Sequence, residues 1–297
     1  FQLFSTFTLI FKFMAFIRLT TDFSDPQFLD RQVPFEKNGE TLLIQKPGKL
    51  SLLRLMSRQI MQFQEFELAS GFTFAQHLEE IYPRISADAQ TFPLTKVVLT
   101  PREFALLPAV IKDEKIVDGL LSASLLSNTS HQIKVQQPIL YNSIYMHFNV
   151  DADVLKPMPY SDKVDYLSLY GFLLEFWSSI HKENNDKNIF IHVEKNEFYF
   201  SYFIDGQLQH FNIFEFKVAA DFLYFVLFAC KELDIDAKNA TIYLHGIIND
   251  QSELYKILRI YIKELRFLEI QSSRFGGFNP DPSHLFTDLF ATIACVS

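Results

Sequence analysis

Two cysteines in 297 residues, Cys230 and Cys295, are too few to staple a fold. Each lies in an apolar helical pattern, which predicts buried free thiols and not a disulfide, in keeping with a reducing cytoplasm. A basic stripe is also missing. Lys and Arg number 27 against 35 Asp and Glu, for a net charge of −8. Phosphate backbones need clustered cations, so nucleic acid is excluded as an expected partner. There is no Gly-x-Ser-x-Gly elbow, no His-Glu-x-x-His and no Cys-x-x-Cys, which removes the common signatures of serine hydrolases, zinc proteases and thiol redox enzymes. Ser-Arg-Phe-Gly-Gly-Phe (273–278) lacks the Lys-Ser/Thr ending of a phosphate loop and reads as a flexible connection.

A long hydrophobic run is lacking as well. The opening FQLFSTFTLIFKFMAFI is apolar but contains Lys12, has no basic leader and no small-residue cleavage site. It makes a poor signal peptide, and it is shorter than the roughly 20 apolar residues of a spanning helix. Translation from upstream of a start at Met14, an extra ordered element and a membrane anchor all stay open for residues 1–13; no membrane span is expected.

What the chain does have is phenylalanine, 33 in all. Many sit in strand-like runs, where aromatic rings fit the pleat and fill broad cores. Residues 18–40 are polar and broken by Asp25-Pro26, Pro34 and Asn38-Gly39, which predicts a lead-in loop. TLLIQ (41–45), KLSLLRLM (49–56) and QIMQFQEFE (59–67) read as strands with short turns. A helix through Phe74, Leu78 and Ile81 and a buried strand TKVVLT (95–100) follow. Another strand is expected near 143–149, and Tyr166, Tyr170, Leu173, Leu174 and Trp177 mark an amphipathic helix. Then the plan returns. IFIHV (189–193), FYFSYFI (198–204) and LQHFNIFEF (208–216) are three strands, DFLYFVLFACKEL (221–233) an apolar helix and TIYLHG (241–246) a buried strand. Leu254 to Leu265 carry a helical stripe, Phe267 to Ile270 are a candidate last strand, and FTDLFATIACVS closes the chain as a helix.

The halves overlay at an offset of 148 from Thr41 on Ile189 through Phe74 on Phe222, with identities at Gln59/Gln207, Phe63/Phe211, Phe66/Phe214 and Glu67/Glu215. TKVVLTP is set over ATIYLHG at an offset of 145. The shared order strand–strand–strand–helix–strand argues for a unit used twice.

IHVEKNEFYFSYFIDGQLQHFNIFEFKVAADFLYFVL, TIYLHGII and VVLTPREFALLP carry a family resemblance that covers roughly residues 35–297. The chain resembles an uncharacterised bacterial family, domain of unknown function 3822, and more distantly the actin-like component of type IV pilus assembly. The resemblance implies an α/β fold, a duplicated actin-like ATPase (ribonuclease H-like) architecture of two βββαβα(β) units, each with a mixed sheet. Residues 1–34 would be a non-globular lead-in, 35–160 the first domain and 161–297 the second.

In active members of the actin-like superfamily the first strand of each domain ends Asp-x-Gly. The Asp orders magnesium and water, and the Gly lets backbone amides approach phosphate. Carried onto this chain, those positions fall on Ile44 and Lys46, and on His192 and Glu194 in a turn that runs on to Asn196. The paired glycines of the adenosine side fall on Gly246 and Ile247, after His245. Isoleucine offers magnesium no oxygen, and a carboxylate at a glycine position adds bulk and negative charge where phosphate belongs. His192, Glu194, Asn196, His245 and Gly246 are therefore the degenerate nucleotide-site positions. No catalytic residue, metal or cofactor is expected, with ATP and magnesium as the alternative.

Other groups have plain readings beside sharp ones. His192 and His245 end neighbouring strands and could share a metal, but read more simply as histidines at a cleft rim. Glu194, Glu197 and Asp205 form an acidic rim or a solvated turn. Asp22, Asp25 and Asp30 lack calcium-loop spacing. Phe222, Tyr224, Phe225 and Phe228 are core, or a partner or self-association face. The expectation is a cytoplasmic, non-catalytic binding or scaffold protein, with an unidentified protein partner or self-association. A divergent ATPase or phosphotransferase using the interdomain cleft, through an acid such as Glu194 or Asp205, is the alternative.

Overall fold

The computed structural model describes residues 17–25, 39–124, 132–151, 164–180, 187–237, 239–271 and 275–296. Two compact units result: Phe1–Gly171 with Phe275–Phe278, and Phe172–Arg274 with Asn279–Ser297.

The first unit is built on a six-stranded mixed sheet of order β1-β4-β3-β2-β5-β9. Its strands are β1 (Ile17–Ser24), β2 (Glu40–Lys46), β3 (Lys49–Met56), β4 (Gln59–Leu68), β5 (Leu94–Leu99) and β9 (Asp165–Ser168). The β2–β3 turn places Pro47 before Gly48, whose φ is 70°, the signature of a turn that needs a left-handed third residue. Helix α1 (Phe74–Ser86) crosses between β4 and β5 and starts on a capping box between Thr73 and Gln76. Buried Arg54 fixes its far end, donating to the Arg84 carbonyl at 2.6 Å and pairing with Asp88 at 3.0 Å. A separate antiparallel sheet of order β6-β8-β7 comprises β6 (Phe104–Pro108), β7 (Gln132–Ile139) and β8 (Ile144–Asp151), with α2 (Glu114–Ser124) beside it.

The second unit carries a mixed sheet of order β12-β11-β10-β13-β14. It is formed by β10 (Lys187–Val193), β11 (Glu197–Ile204), β12 (Gln207–Glu215), β13 (Thr241–Gly246) and β14 (Glu264–Phe267). The order β12-β11-β10-β13 repeats β4-β3-β2-β5, with parallel pairing at the same step. Even the irregularities repeat: β4 carries an extra residue at Met61 and β12 at Gln209, and Met61 lies over Gln209 in the 148-residue overlay. Such bulges are built features of a strand pair.

Both faces of β10, at the centre of the second sheet, are buried, so it reads as a mostly apolar run and not an alternation. On one face Ile189, Ile191, Val193, Phe198 and Phe200 pack against Phe222, Val226 and Cys230 of α4 (Ala219–Glu232) and Leu258 of α5 (Glu253–Tyr261). On the other, Trp177 of α3 (Leu169–Ile180) stacks on Phe190 at 5.7 Å. The chain closes with α6 (Thr287–Cys295).

Several expectations are corrected. Residues 17–24, read as part of a non-globular lead-in, form a strand paired with β4. Polar side chains there are accommodated because Asp22 accepts from Gln64 and Thr20 donates to the Glu65 carbonyl. Tyr166 lies on β9, not on the helix. Because β9 pairs with β5, the first unit runs past the expected boundary at 160/161 to Gly171. Leu265 also belongs to a strand, which ends at Phe267 where the last strand was expected to begin. The sheet of β6, β7 and β8 was read only at β8. The overlay of β5 on β13 shifts by two residues: Ile44 pairs with Val98 and His192 with His245, so Val98 lies over His245, an offset of 147 and not 145. Residues 1–13, Met14 and Asp30 lie outside the described residues.

Candidate functional site

The degenerate positions of the second unit come together at the end of β10. His192 and His245 are register partners on the parallel strands β10 and β13, so their rings project from one face side by side. They are not at a rim: His192 is 1% exposed, His245 0% and Glu194 3%. Side chains this deep need polar partners, and each of the three has at least one. The Trp177 indole donates to His245 Nε2 at 2.9 Å. The Nδ1 atoms of His245 and His192 are 2.7 Å apart. His192 Nε2 and Glu194 Oε1 are 3.1 Å apart, and the His192 ring stacks on Tyr199.

The direction of this chain follows from its first member. An indole N–H can only donate, so His245 Nε2 accepts and the His245 proton sits on Nδ1. His245 Nδ1–H then donates to His192 Nδ1, which leaves the His192 proton on Nε2, donated to Glu194. Both rings are neutral. An extra proton on either would put two donors face to face. In accord, His245 is held well below the usual imidazole pKa, first by desolvation and then by the nearby His192 and His284. His284 is itself anchored, its Nε2 facing the Ile248 carbonyl at 2.8 Å.

Asp288, on α6, brings a second buried carboxyl group to this place. One ligand atom each from His192, Glu194 and Asp288 lie within 4.8 Å of one another. That geometry could hold a metal ion, but the chain's polarity opposes it. A metal takes the lone pair of a ring nitrogen, and His192 Nε2 carries the proton that Trp177 and His245 assign to it.

Gly246 has a local reason to be glycine. Its φ is +82°, and a Cβ there would lie 2.3 Å from the Val193 carbonyl oxygen. The Ile247 amide donates to the same oxygen at 2.7 Å. The residue is required by strand-to-strand approach. Asn196 is exposed in the β10–β11 turn, where its carbonyl accepts from Phe216. Glu197 opens β11 while Asp205 is exposed beyond its other end, so no acidic rim forms from Glu194, Glu197 and Asp205. Cys230 is buried in α4, and desolvation pushes its thiol up to about 11, which makes it a poor nucleophile. Phe222 is core, Phe225 is half-buried, and Tyr224 and Phe228 are 61% and 43% exposed.

In the first unit the matching positions are filled differently. Ile44 is core. Lys46, 6% exposed, pairs with buried Glu65 at 3.3 Å, and Lys49 reaches the same carboxylate at 2.6 Å. Sequence reasoning named Lys46, His192, Glu194 and His245 but missed Glu65, Trp177 and Asp288. Glu65 carried a signal, a charge inside a run with strand character. Trp177 and Asp288 carried none, since they arrive from distant helices.

Twice-used strand order, parallel fourth strand and flanking helices define the class: this is an actin-like ATPase fold. A protein of unknown function with that fold from Bacteroides thetaiotaomicron VPI-5482 superposes with a TM-score of 0.70 at 16% identity, over 87% of this chain and 96% of the other. The PilM-PilN type IV pilus biogenesis complex matches with a TM-score of 0.54 at 10% identity, over 86% and 96%. No curated protein matches the sequence. Residues 43–265 match the family described as protein of unknown function (DUF3822), and the chain belongs to that family. Among the described residues no helix is long and apolar enough to cross a membrane.

Proposed function

We propose that this chain is a non-catalytic, cytoplasmic bacterial protein that uses an actin-like scaffold to bind other proteins. One observation carries the reading. At both hairpins the place of the phosphate-facing glycine holds a buried charged or polar side chain already engaged inside its own unit: Lys46 with Glu65, and Glu194 with His192. Magnesium triphosphate bound at either hairpin would have to displace the arrangement there, and breaking a buried pair costs several kcal/mol. PilM, which shares the fold, is a member of a pilus biogenesis complex, and this supports an assembly role for a scaffold of this kind. The Bacteroides relative supports a bacterial origin.

The alternative, a divergent ATPase or phosphotransferase, draws on the carboxyl groups of Glu194 and Asp288 gathered beside His192. Titration calorimetry with ATP and magnesium, together with a phosphate-release assay, decides between them. No saturable heat and no release above buffer are expected. Stoichiometric binding, or hydrolysis lost in Glu194→Gln, would overturn the proposal.

A further inference from the structure

Helix α2 has an apolar side with little core to bury it. Ile116, Val117, Leu120 and Leu121 recur at the spacing of one helix face, yet none of residues 114–123 is buried. Its 11 residues make only a marginal helix in water by themselves, and Gly119 in the middle weakens it further. The helix lies against β6, where Ala105 and Leu107 are buried, and the neighbouring strands stay open on that same side. There Gln136 lies opposite His147 and Lys134 opposite Asn149 across β7 and β8, while the alternate residues Gln137, Met146 and Phe148 are buried on the other side. Between α2 and this polar floor runs a groove of about 460 Å³.

The polar groups along the groove do not satisfy one another. Among the described residues no hydrogen bond or ion pair engages the Asp118 carboxylate, the Lys134 ammonium or the Gln136 amide. His147 meets Tyr145 edge-on, and desolvation holds it below the usual imidazole pKa, so it adds no second cation at neutral pH. One cation and one anion therefore stand on different walls, Lys134 on the sheet and Asp118 on the helix, with Val117 and Leu121 as the apolar lining of the helix side.

We propose that this groove binds a short peptide with free termini and an aliphatic side chain, its carboxylate at Lys134, its ammonium at Asp118 and its side chain against Val117 and Leu121. Charge selects this class. A lining that is neutral overall but carries one free charge of each sign suits a zwitterion, whereas a phosphate ester or a polyanion would meet Asp118 and a polycation would meet Lys134. Size agrees, since the volume is that of a small-molecule site and far below what a folded domain would need. Three extended residues reach about 10 Å, roughly the spacing of packed layers of secondary structure, so the two ends of one ligand can address both walls. The Gln136 amide, donor and acceptor together, can meet a peptide unit on the way. The site goes beyond the scaffold proposal and is independent of whether nucleotide binds.

Nuclear magnetic resonance of the full chain, isotope-labelled in amides and methyl groups, tests it with the tripeptide Ala-Leu-Ala as probe. Saturable shifts are expected at Val117, Leu121 and Gln136. Acetylating the amino end or amidating the carboxyl end should each weaken binding about two- to fivefold, the worth of an exposed ion pair. Ala-Ser-Ala should bind about tenfold more weakly, for want of the aliphatic contact. Lys134→Gln should erase the preference for a free carboxylate alone, and Asp118→Asn the preference for a free ammonium alone. Both positions are exposed, so circular dichroism should not change. The absence of shifts at α2, β7 and β8 up to the solubility of the peptide overturns the proposal, as does binding that neither end-block nor either substitution alters.

Discussion

The two sheets share strand order and even a bulge, yet they satisfy the same buried corner by opposite chemistry. The first unit places a charged cluster there, Lys46 and Lys49 on Glu65. The second places a chain of neutral donors and acceptors, Trp177 to His245 to His192, ending on Glu194. The lesson is that a fold tolerates either solution provided that each group is engaged, because desolvation penalises the unpartnered group whatever its type. The two solutions should fail differently. A cluster with two cations on one anion loses two ion pairs at once when that anion goes. A neutral chain loses one hydrogen bond at a time.

The largest expected effect follows from that asymmetry. Glu65→Ala takes one carboxylate from two lysines, of which Lys46 is buried, and should destabilise the first unit by about 3–5 kcal/mol, the range for breaking a buried ion pair. Glu194→Ala takes away the acceptor for His192 Nε2–H, for about 1–3 kcal/mol, and it also removes one of two neighbouring carboxyl groups. Urea unfolding separates the two. Trp177 is the only tryptophan in the chain and reports the second unit, while far-ultraviolet circular dichroism follows both. Equal losses in the two variants would break the comparison.

An acid titration sharpens it further. The unfolded His245 takes up a proton near pH 6.5, while the folded one resists to well below that value. Below pH 6.5 the unfolded state therefore binds more protons, and stability falls as pH falls. The contribution is complete above pH 6.5. Its loss has a limiting slope of about 1.4 kcal/mol per pH unit for one fully resisting group. Desolvation also lowers His77 and His147 in the first unit and His210 in the second, so some acid sensitivity is common to both units. The diagnostic is the difference: His245→Gln should flatten the Trp177-monitored slope between about pH 6.5 and 5, and His147→Gln should leave it unchanged.

How much of this was legible in the sequence depends on distance along the chain. The hairpins were, because β2, β3 and β4, and β10, β11 and β12, are adjacent runs joined by short turns. The pairing of His192 with His245 was legible too, since two parallel strands ending in the same residue type belong to one repeated plan. Their burial was not. It depends on Trp177, whose helix precedes the hairpin, and on Asp288, which follows it by almost a hundred residues. The strand at Ile17–Ser24 was hidden for another reason: its Arg18, Thr20, Thr21 and Asp22 read as loop, and only pairing with β4 gives them partners. The slip of the β5 overlay from 147 to 145 kept every side chain on its face, because two residues is one full period of a strand. No pattern argument could have detected it.

The smallest effect lies in a turn that the two units make from different residues. Between β11 and β12, Asp205 and Gly206 adopt φ of 51° and 74°; between β3 and β4, Ser57 and Arg58 adopt 52° and 64°. Both are two-residue hairpin turns with two left-handed positions, the geometry that asparagine, aspartate and glycine favour. Arg58 bears a Cβ penalty there that Gly206 does not, about 1–2 kcal/mol for an ordinary side chain in that region. Glycine returns part of that gain as extra freedom of the unfolded chain, roughly 0.5–1 kcal/mol. Arg58→Gly should therefore stabilise the first unit by about 0.5–1 kcal/mol net, read as a rise in the circular dichroism midpoint with the Trp177 transition unchanged. Gly206→Arg in the second unit should show the mirror loss. If Arg58→Gly destabilises instead, the arginine makes a contact that outweighs its strain, and the two turns are alike only in backbone shape.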